Sequence, residues 1–269
     1  MLVNCDFSSI EWYVAVELSG DKVGLQEILD GADIHSRNQS AFNLPERRIA
    51  KIFLFRLIYG GSCWSYALDP QYNWISDDPD FWQDMIDKFY KKYVDLHRWH
   101  EELVLGVMKT GTMETPSGRF YRISRERKRE GGPLEWPRPK ILNYPVQGFA
   151  ADIVKLARIL LLAALKKRFP KALLVATIHD SLVVDCPNED TIGVAELMHN
   201  ILHVQTTKLV EKFYNYKLSV PIKGEIEIGP NLKDMVKWHE PPKTITGRRQ
   251  TGDRTEVLTI ERNGVLTWA

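Results

Sequence analysis

Apolar residues at Leu2, Val3 and Cys5 give way to Asp6, and helical spacing begins at Ile10, which predicts a short buried strand ending in a carboxylate and followed by a helix. A second helical pattern covers Lys22 to Leu29, with Gly31 as its stop. In Arg47 to Gly61, RRIAKIFLFRLIYGG, the residues Ile49, Ile52, Phe53, Leu57 and Ile58 form an apolar face. Pro45 lies near the start of this helix, where its missing N–H does no harm, and Gly60-Gly61 ends it. Trp64 to Asp80 reads as irregular connection. Phe81, Met85, Phe89, Tyr93 and Leu96 then predict one long helix from Phe81 to Met108. Closely spaced glycines and prolines from Gly111 to Pro139 break up any long element, and Pro145 predicts a turn before an apolar helix from about Phe149 to Phe169. Leu173 to Asp185 reads as two β-branched strands joined at His179-Asp180-Ser181. A helix from Glu189 to Tyr214 and a half-exposed strand in SVPIKGEIEIG follow. The tail from Pro241 is polar, and Asn263-Gly264 between two β-like runs predicts a terminal hairpin. No internal repeat is evident.

At 269 residues and 44% hydrophobic content the chain suits one large or two modest domains with a real core. Its net charge of +1 gives no global signal for a polyanion, so contact with nucleic acid has to come from local patches. One such patch runs from Arg119 through Arg122, Arg125, Arg127, Lys128, Arg129 and Arg138 to Lys140, and a solvated charged loop would look the same. Cys5, Cys63 and Cys186 have no metal-ligand or disulfide spacing, which points to a reducing compartment. The longest apolar run, Ile159 to Leu165, is too short for a bilayer, and no leader precedes Asp6, so a cytoplasmic protein without a membrane partner is expected.

Within the Arg47 helix, Arg47, Lys51, Phe55 and Tyr59 recur four residues apart. Each step turns about 400° and rises ~6 Å, so the four form one slanted stripe, two cations and then two aromatics. A stripe of this kind suits a ligand that is polyanionic at one end and flat at the other, such as a nucleoside triphosphate. A buried helix with snorkelling ends gives the same pattern. Asp6 at a strand end suits a metal ligand or a helix cap, a role that Ser8 or Ser9 could share. Asp180 is a second carboxylate at a strand end. Two carboxylates bridging two magnesium ions, joined to a cationic and aromatic helix, would make a nucleotidyl-transfer site.

These segments resemble the polymerase core of family A, polymerase I-like DNA polymerases of bacteria and bacteriophages. DFSSIE at Asp6 to Glu11 is similar to the first metal motif, RRIAKIFLFRLIYG at Arg47 to Gly60 to the nucleotide-binding finger helix, and IHD at Ile178 to Asp180 to the second metal motif. NYPVQGFAAD at Asn143 to Asp152 and VPIKGEIEIG at Val220 to Gly229 resemble two further family segments, all in the family's order. The resemblance implies an α+β fold, a partial right-hand polymerase with an antiparallel palm sheet and mainly helical fingers, lacking thumb and exonuclease domains. Residues 1–20 and 143–240 would form the palm, 21–142 the fingers, and 241–269 an extension with a possible docking hairpin.

The resemblance also implies roles. Asp6, Asp180 and the main-chain carbonyl of Phe7 would hold two Mg2+ ions. Glu11 would close the space beside the sugar 2′ position and select deoxyribose. Arg47, Lys51 and His35 would meet the phosphates of a dNTP, with Lys51 also serving catalysis. Phe55 would lie against sugar and base and Tyr59 near the templating position. Gln147 and His179 would face the minor groove of primer-template DNA, and Arg119 would contact the template.

Some residues depart from the family pattern. Ser181 stands where many members carry a carboxylate, so no metal role is assigned to it. Tyr13 stands where Arg is frequent and Ser9 where Gln is, and Leu54 and Arg56 replace small or polar residues. The Arg usual before NYPVQG has only Arg138 and Lys140 nearby. Because the chain begins almost at the first metal motif, it is expected to be the catalytic C-terminal half of a split, bacteriophage-type polymerase, completed by an N-terminal polypeptide that supplies thumb and upstream palm. Arg56, about 100° off the stripe from Phe55, is expected to mark the surface that meets it. Single-subunit RNA polymerases are an alternative, since His179-Asp180-Ser181 resembles theirs, but Glu11 and Phe55 favour DNA. A non-catalytic DNA-binding replisome component is another.

Overall fold

A computed structural model describes residues 1–238 and, beyond them, the backbone of strands 244–251, 254–261 and 266–268. In chain order β1 (Leu2–Phe7) leads into α1 (Ile10–Ser19), α2 (Lys22–Leu29), α3 (Ile34–Ala41), α4 (Arg47–Ile58), α5 (Cys63–Ala67), α6 (Pro79–Lys92) and α7 (Val94–Thr110). Two short hairpins, β2 (Thr112–Glu114) with β3 (Phe120–Arg122) and β4 (Glu126–Arg127) with β5 (Leu134–Glu135), precede α8 (Arg138–Arg168). Next come β6 (Leu173–Ile178), β7 (Ser181–Asp185), a 3₁₀ turn at Asn188–Asp190, α9 (Thr191–Asn200), a π-helical stretch Ile201–Gln205, and α10 (Thr206–Tyr214). Strands β8 (Gly224–Gly229), β9 (Val236–Trp238), β10 (Thr244–Thr251), β11 (Arg254–Glu261) and β12 (Leu266–Trp268) close the chain. The chain divides into two compact units, residues 1–10 with 151–269, and residues 11–150.

The first unit is built on a five-stranded antiparallel sheet in the order β6-β7-β1-β8-β9. Alternation along β1 sets its faces: Val3, Cys5 and Phe7 are buried at 0%, 2% and 0% exposure, so Asn4 and Asp6 project from the other side. Cys5 and Phe7 line a small apolar cavity together with Ala157 and Leu161 of α8, Met198 of α9, and Ile201 and Leu202 of the π-helical stretch. The antiparallel sheet and mainly helical remainder agree with the α+β class. β10, β11 and β12 form a separate antiparallel sheet. The pairing of β11 with β12 is the terminal hairpin expected from sequence, while its Asn263-Gly264 turn lies outside the described residues. β10, in what reads as a polar tail, adds a strand that the pattern does not predict.

The second unit packs around aromatic rings. Phe53 of α4 lies 5.1 Å from Tyr66 and 6.3 Å from Phe89, and Tyr66 stacks on Trp82 at 5.1 Å. All four are fully buried, and each such ring contributes about 2–3 kcal/mol relative to exposure. The Tyr66 hydroxyl also donates to the Phe53 carbonyl at 3.0 Å, so the core binds α4 to α5 by polar as well as apolar contact.

Other elements also differ from the sequence pattern. The helix expected over Phe81 to Met108 is two, α6 and α7, broken at Tyr93 (φ −110°, ψ 71°). The break is held from outside: the Tyr93 hydroxyl donates to Glu27 (2.8 Å) and Asn38 (3.0 Å), while Asp21 accepts the N–H groups of Asp95 and Leu96 at 3.1 Å each. Asp21 therefore caps α7 as well as its own helix, where Gly24 N–H donates to it at 2.9 Å. The turn expected at Pro145 is absent, because Pro145 lies inside α8. Its missing donor and ring clash are outweighed by Ile141, Leu142, Val146 and Phe149, all at 0% exposure. The ADIHSRNQSAFNLP segment, on which the sequence pattern makes no prediction, contains α3, capped by Asp33.

Candidate functional site

In the first unit, strand register brings the two candidate metal carboxylates to one sheet end. Asp6 of β1 pairs with Ser181 of β7 on one side and Glu225 of β8 on the other. Ser181 follows a two-residue turn, His179-Asp180, closed by the Ile178–Ser181 pair, with His179 in the left-handed region at φ +53°. Phe7 N–H donates to the Asp180 main-chain carbonyl at 3.1 Å, which fastens the turn to β1 beside Asp6. Ser181 Oγ donates to Asp6 Oδ1 at 2.7 Å. Where Ser181 stands in place of a carboxylate, it serves as a hydrogen-bond donor to Asp6. Asp6 is not the cap of α1, since it lies within the strand, well before Ile10.

Burial, and then the Asp6 carboxylate, push the Cys5 thiol well above the usual thiol range, so Cys5 stays neutral behind the site. Asp6, Asp180 and the Phe7 carbonyl offer oxygen donors only, which fits a hard divalent cation such as Mg2+. Among the described residues no group of three His, Cys, Asp or Glu converges as a metal cage. A pair of carboxylates that shares its ions with substrate phosphates does not require one. Glu225, opposite Asp6, is engaged by Lys237 Nζ at 2.6 Å.

In the second unit, α4 separates its faces as an amphipathic helix should. Ile49, Ala50, Phe53, Leu54, Leu57 and Ile58 are buried, whereas Arg47 and Lys51 are exposed and Phe55 is half-buried. Tyr59 is the residue just past the helix end, and Gly60 turns the chain away at φ +80°. Arg47 is held by Asp33: Nε–H donates to Oδ2 at 2.6 Å and Nη2–H to Oδ1 at 3.0 Å. This guanidinium holds the Asp33 carboxyl well below the usual carboxylate range.

His35, on α3, is 3% exposed, and neither ring nitrogen has a hydrogen-bond partner among the described residues. Burial, followed by Arg47 and Lys51, lowers its pKa to about 4, so the imidazole is neutral at physiological pH. Its ring centre lies 5.8 Å from that of Phe55. Two orphaned ring nitrogens beside two cations are what a site looks like when its remaining partner is a ligand.

Glu11, Tyr59 and Gln147 form a second cluster in this unit. Gln147 Nε2 donates to Glu11 at 3.4 Å, and burial followed by Glu11 pushes the Tyr59 phenol up. The Tyr59 hydroxyl is buried beside both, with no hydrogen bond of normal geometry to either. Gly148, next to Gln147, lets side chains approach closely: a Cβ there would lie 2.0 Å from Tyr121 Oη and 2.9 Å from Arg119 Cδ, so both side chains would have to shift. Tyr121 also packs on Tyr144 at 5.2 Å, so the β2–β3 hairpin is seated on one face of α8, and Arg119 with it.

Part of the basic run after Arg119 is ion-paired within the protein. Lys128 meets Glu135 at 2.8 Å, Lys140 meets Glu126 at 2.5 Å and Arg138 meets Glu101 at 2.6 Å. Arg56 does not mark an outward-facing surface. Its guanidinium donates to Asp69 (2.5 Å) and to the Ser65 carbonyl (2.6 Å), and lies 4.6 Å from the Tyr72 ring centre, so it fastens α4 to α5 and to the segment after it. The residue of this cluster missed from sequence is Asp33, which holds Arg47. Its signal is an Asp at a helix start, a pattern far too common to single out.

A family profile described as DNA polymerase family A matches residues 1–234. DNA polymerase I of Chloroflexus aurantiacus is 26% identical over 241 residues, 87% of this chain and 24% of the relative. The thermostable DNA polymerase I of Thermus aquaticus is 29% identical, over 85% of this chain and 26% of its own. The DNA polymerase of Bacillus phage SP01 is 24% identical over 87% of this chain and 26% of its own. The chain thus spans about a quarter of the length of these relatives. Among solved structures, the POL domain of Pol1 from M. smegmatis, in complex with DNA primer-template and dNTP, superposes with a TM-score of 0.69 at 22% identity. It covers 85% of this chain and 39% of that one.

Proposed function

The chain belongs to DNA polymerase family A, and from that premise we propose that it carries out template-directed DNA polymerisation by two-metal nucleotidyl transfer. The observation that supports this most is the register that sets Asp6 beside the His179-Asp180 turn, with oxygen donors only. Asp6, Asp180 and the Phe7 carbonyl would hold two Mg2+ ions. When bound, these would make the primer 3′-hydroxyl more acidic and neutralise charge on the triphosphate. Ser181, on the neighbouring strand β7, holds Asp6 Oδ1 by donating to it.

Arg47 and Lys51 bind the phosphates, and Lys51 stabilises the leaving pyrophosphate and supplies it with a proton. His35, neutral, donates one ring N–H to a phosphate oxygen. Phe55 lies against sugar and base, and Tyr59 stands near the templating position. Gln147, His179 and Arg119 contact primer-template DNA. Residues 1–20 and 143–240 act as palm, 21–142 as fingers. The DNA substrate and the free cysteines accord with a cytoplasmic setting.

Glu11 excludes the ribose 2′-hydroxyl. Glu11→Ala is therefore expected to raise rNTP incorporation relative to dNTP by at least about tenfold, read from steady-state primer extension with each nucleotide. An enzyme that prefers rNTPs before any substitution would instead favour the RNA polymerase reading.

Strand β6 is an outer strand of its sheet and leaves Leu173, Val175 and Ile178 exposed at 62%, 52% and 46%. An apolar edge of this kind is a liability unless covered. We propose that a separate polypeptide carrying thumb and upstream palm covers it, making this chain the catalytic C-terminal subunit of a split polymerase. Size-exclusion chromatography and primer extension by the purified chain test this. Association or poor extension alone is expected, and processive extension by a monomer would rule it out.

A further inference from the structure

We propose that Asp33 is a positioning residue for triphosphate recognition, holding the guanidinium of Arg47 in a fixed plane relative to His35. The proposal rests on Arg47 being a phosphate ligand and adds to that reading the group that orients it. Asp33 is itself immobilised. Its Oδ1 accepts from His35 N–H at 3.1 Å and Ser36 N–H at 3.5 Å, and its Oδ2 from Ser36 Oγ at 2.7 Å. The same two oxygens take Arg47 Nε–H and one Nη2–H at 2.6 and 3.0 Å. A guanidinium has five N–H donors, so three remain for a ligand, in a plane set by the carboxylate. Because Asp33 caps the helix that carries His35, one carboxylate fixes both the cation and the orphaned imidazole. Without it, Arg47, with its side chain 54% exposed, would have to be ordered anew each time a triphosphate binds.

The carboxylate also brings a negative charge near the phosphates, which works against binding. Asp33 is 43% exposed, so this repulsion is screened, whereas the orientation it imposes is not. The sign of the effect therefore separates a positioning group from a competitor that merely occupies Arg47. Asp33→Ser and Asp33→Asn both retain a good helix N-cap while removing the ionic pair, so an effect shared by both does not come from loss of the cap.

The experiment is titration calorimetry of inorganic tripolyphosphate into the full chain and its variants, with steady-state primer extension alongside. Weakening of tripolyphosphate binding by roughly five- to tenfold is expected in Asp33→Ser and Asp33→Asn. A matching rise in KM for dNTP with kcat changed less than about twofold should accompany it, with Asp33→Glu recovering part of the loss. Unchanged or tighter binding in both Asp33 variants, while Arg47→Ala abolishes it, would overturn the role of Asp33 alone. If Arg47→Ala binds tripolyphosphate as the wild type does, the phosphate-ligand reading of Arg47 fails first, and this inference with it.

Discussion

Alanine at Asp6 or at Asp180 is expected to reduce nucleotide incorporation by at least about a thousandfold while the chain stays folded. The expectation follows from where the two carboxylates stand. Asp6 is at the end of the central strand β1 and Asp180 in a two-residue turn, outside the packed face that Val3, Cys5 and Phe7 form. Removing either leaves that core intact. Asp6→Ala does strand the Ser181 hydroxyl, but Ser181 is only half-buried and water can replace its acceptor, at a cost of about 1 kcal/mol. Single-turnover primer extension in magnesium, with thermal melting by circular dichroism as the control for folding, is the measurement. Near-normal extension by either variant would remove the two-metal assignment.

Lys51→Ala is expected to lower the incorporation rate by roughly a hundredfold, the effect of losing one electrostatic contact to a developing charge. Lys51 is exposed on α4, and alanine is the better helix former, so helix stability should hold or rise slightly. The two effects can therefore be separated. If rapid-quench incorporation falls while the melting temperature is maintained, Lys51 acts on the phosphates, and an unchanged rate would leave it as a solvated helix charge. Neutral His35, with its pKa held near 4, cannot supply the missing cation at physiological pH.

The candidate metal-site motif was readable from the chain because it is local on both sides. A strand ending in Asp6 and a β-branched pair of runs around His179-Asp180 each declare themselves within a few residues. The α4 stripe was equally legible, since the period that buries Phe53 and Leu57 also exposes Arg47 and Lys51. Arg56 shows the limit of such reasoning. Its angular position off the stripe was correct, yet its partners, Asp69, Ser65 and Tyr72, come from beyond the helix end, and only packing reveals that it is an internal tie. The break at Tyr93 is of the same kind: nothing in the local period interrupts the helix, and the groups that hold the break, Asp21, Glu27 and Asn38, lie far back in the sequence.

By itself, then, the sequence determined the period of each element, the amphipathic face of α4 and the order of motifs that makes this chain a family A polymerase relative. These are properties of neighbours along the chain, and side-chain periodicity encodes them directly. Tertiary structure alone decided that β1 lies between β7 and β8, so that Asp6 meets Ser181 on one side and Glu225 on the other. It also decided that Pro145 stays helical and that Asp33 takes hold of Arg47. Each of those depends on a contact between residues distant in sequence, where burial or ion pairing outweighs the local preference, and local preference is all that a linear pattern carries.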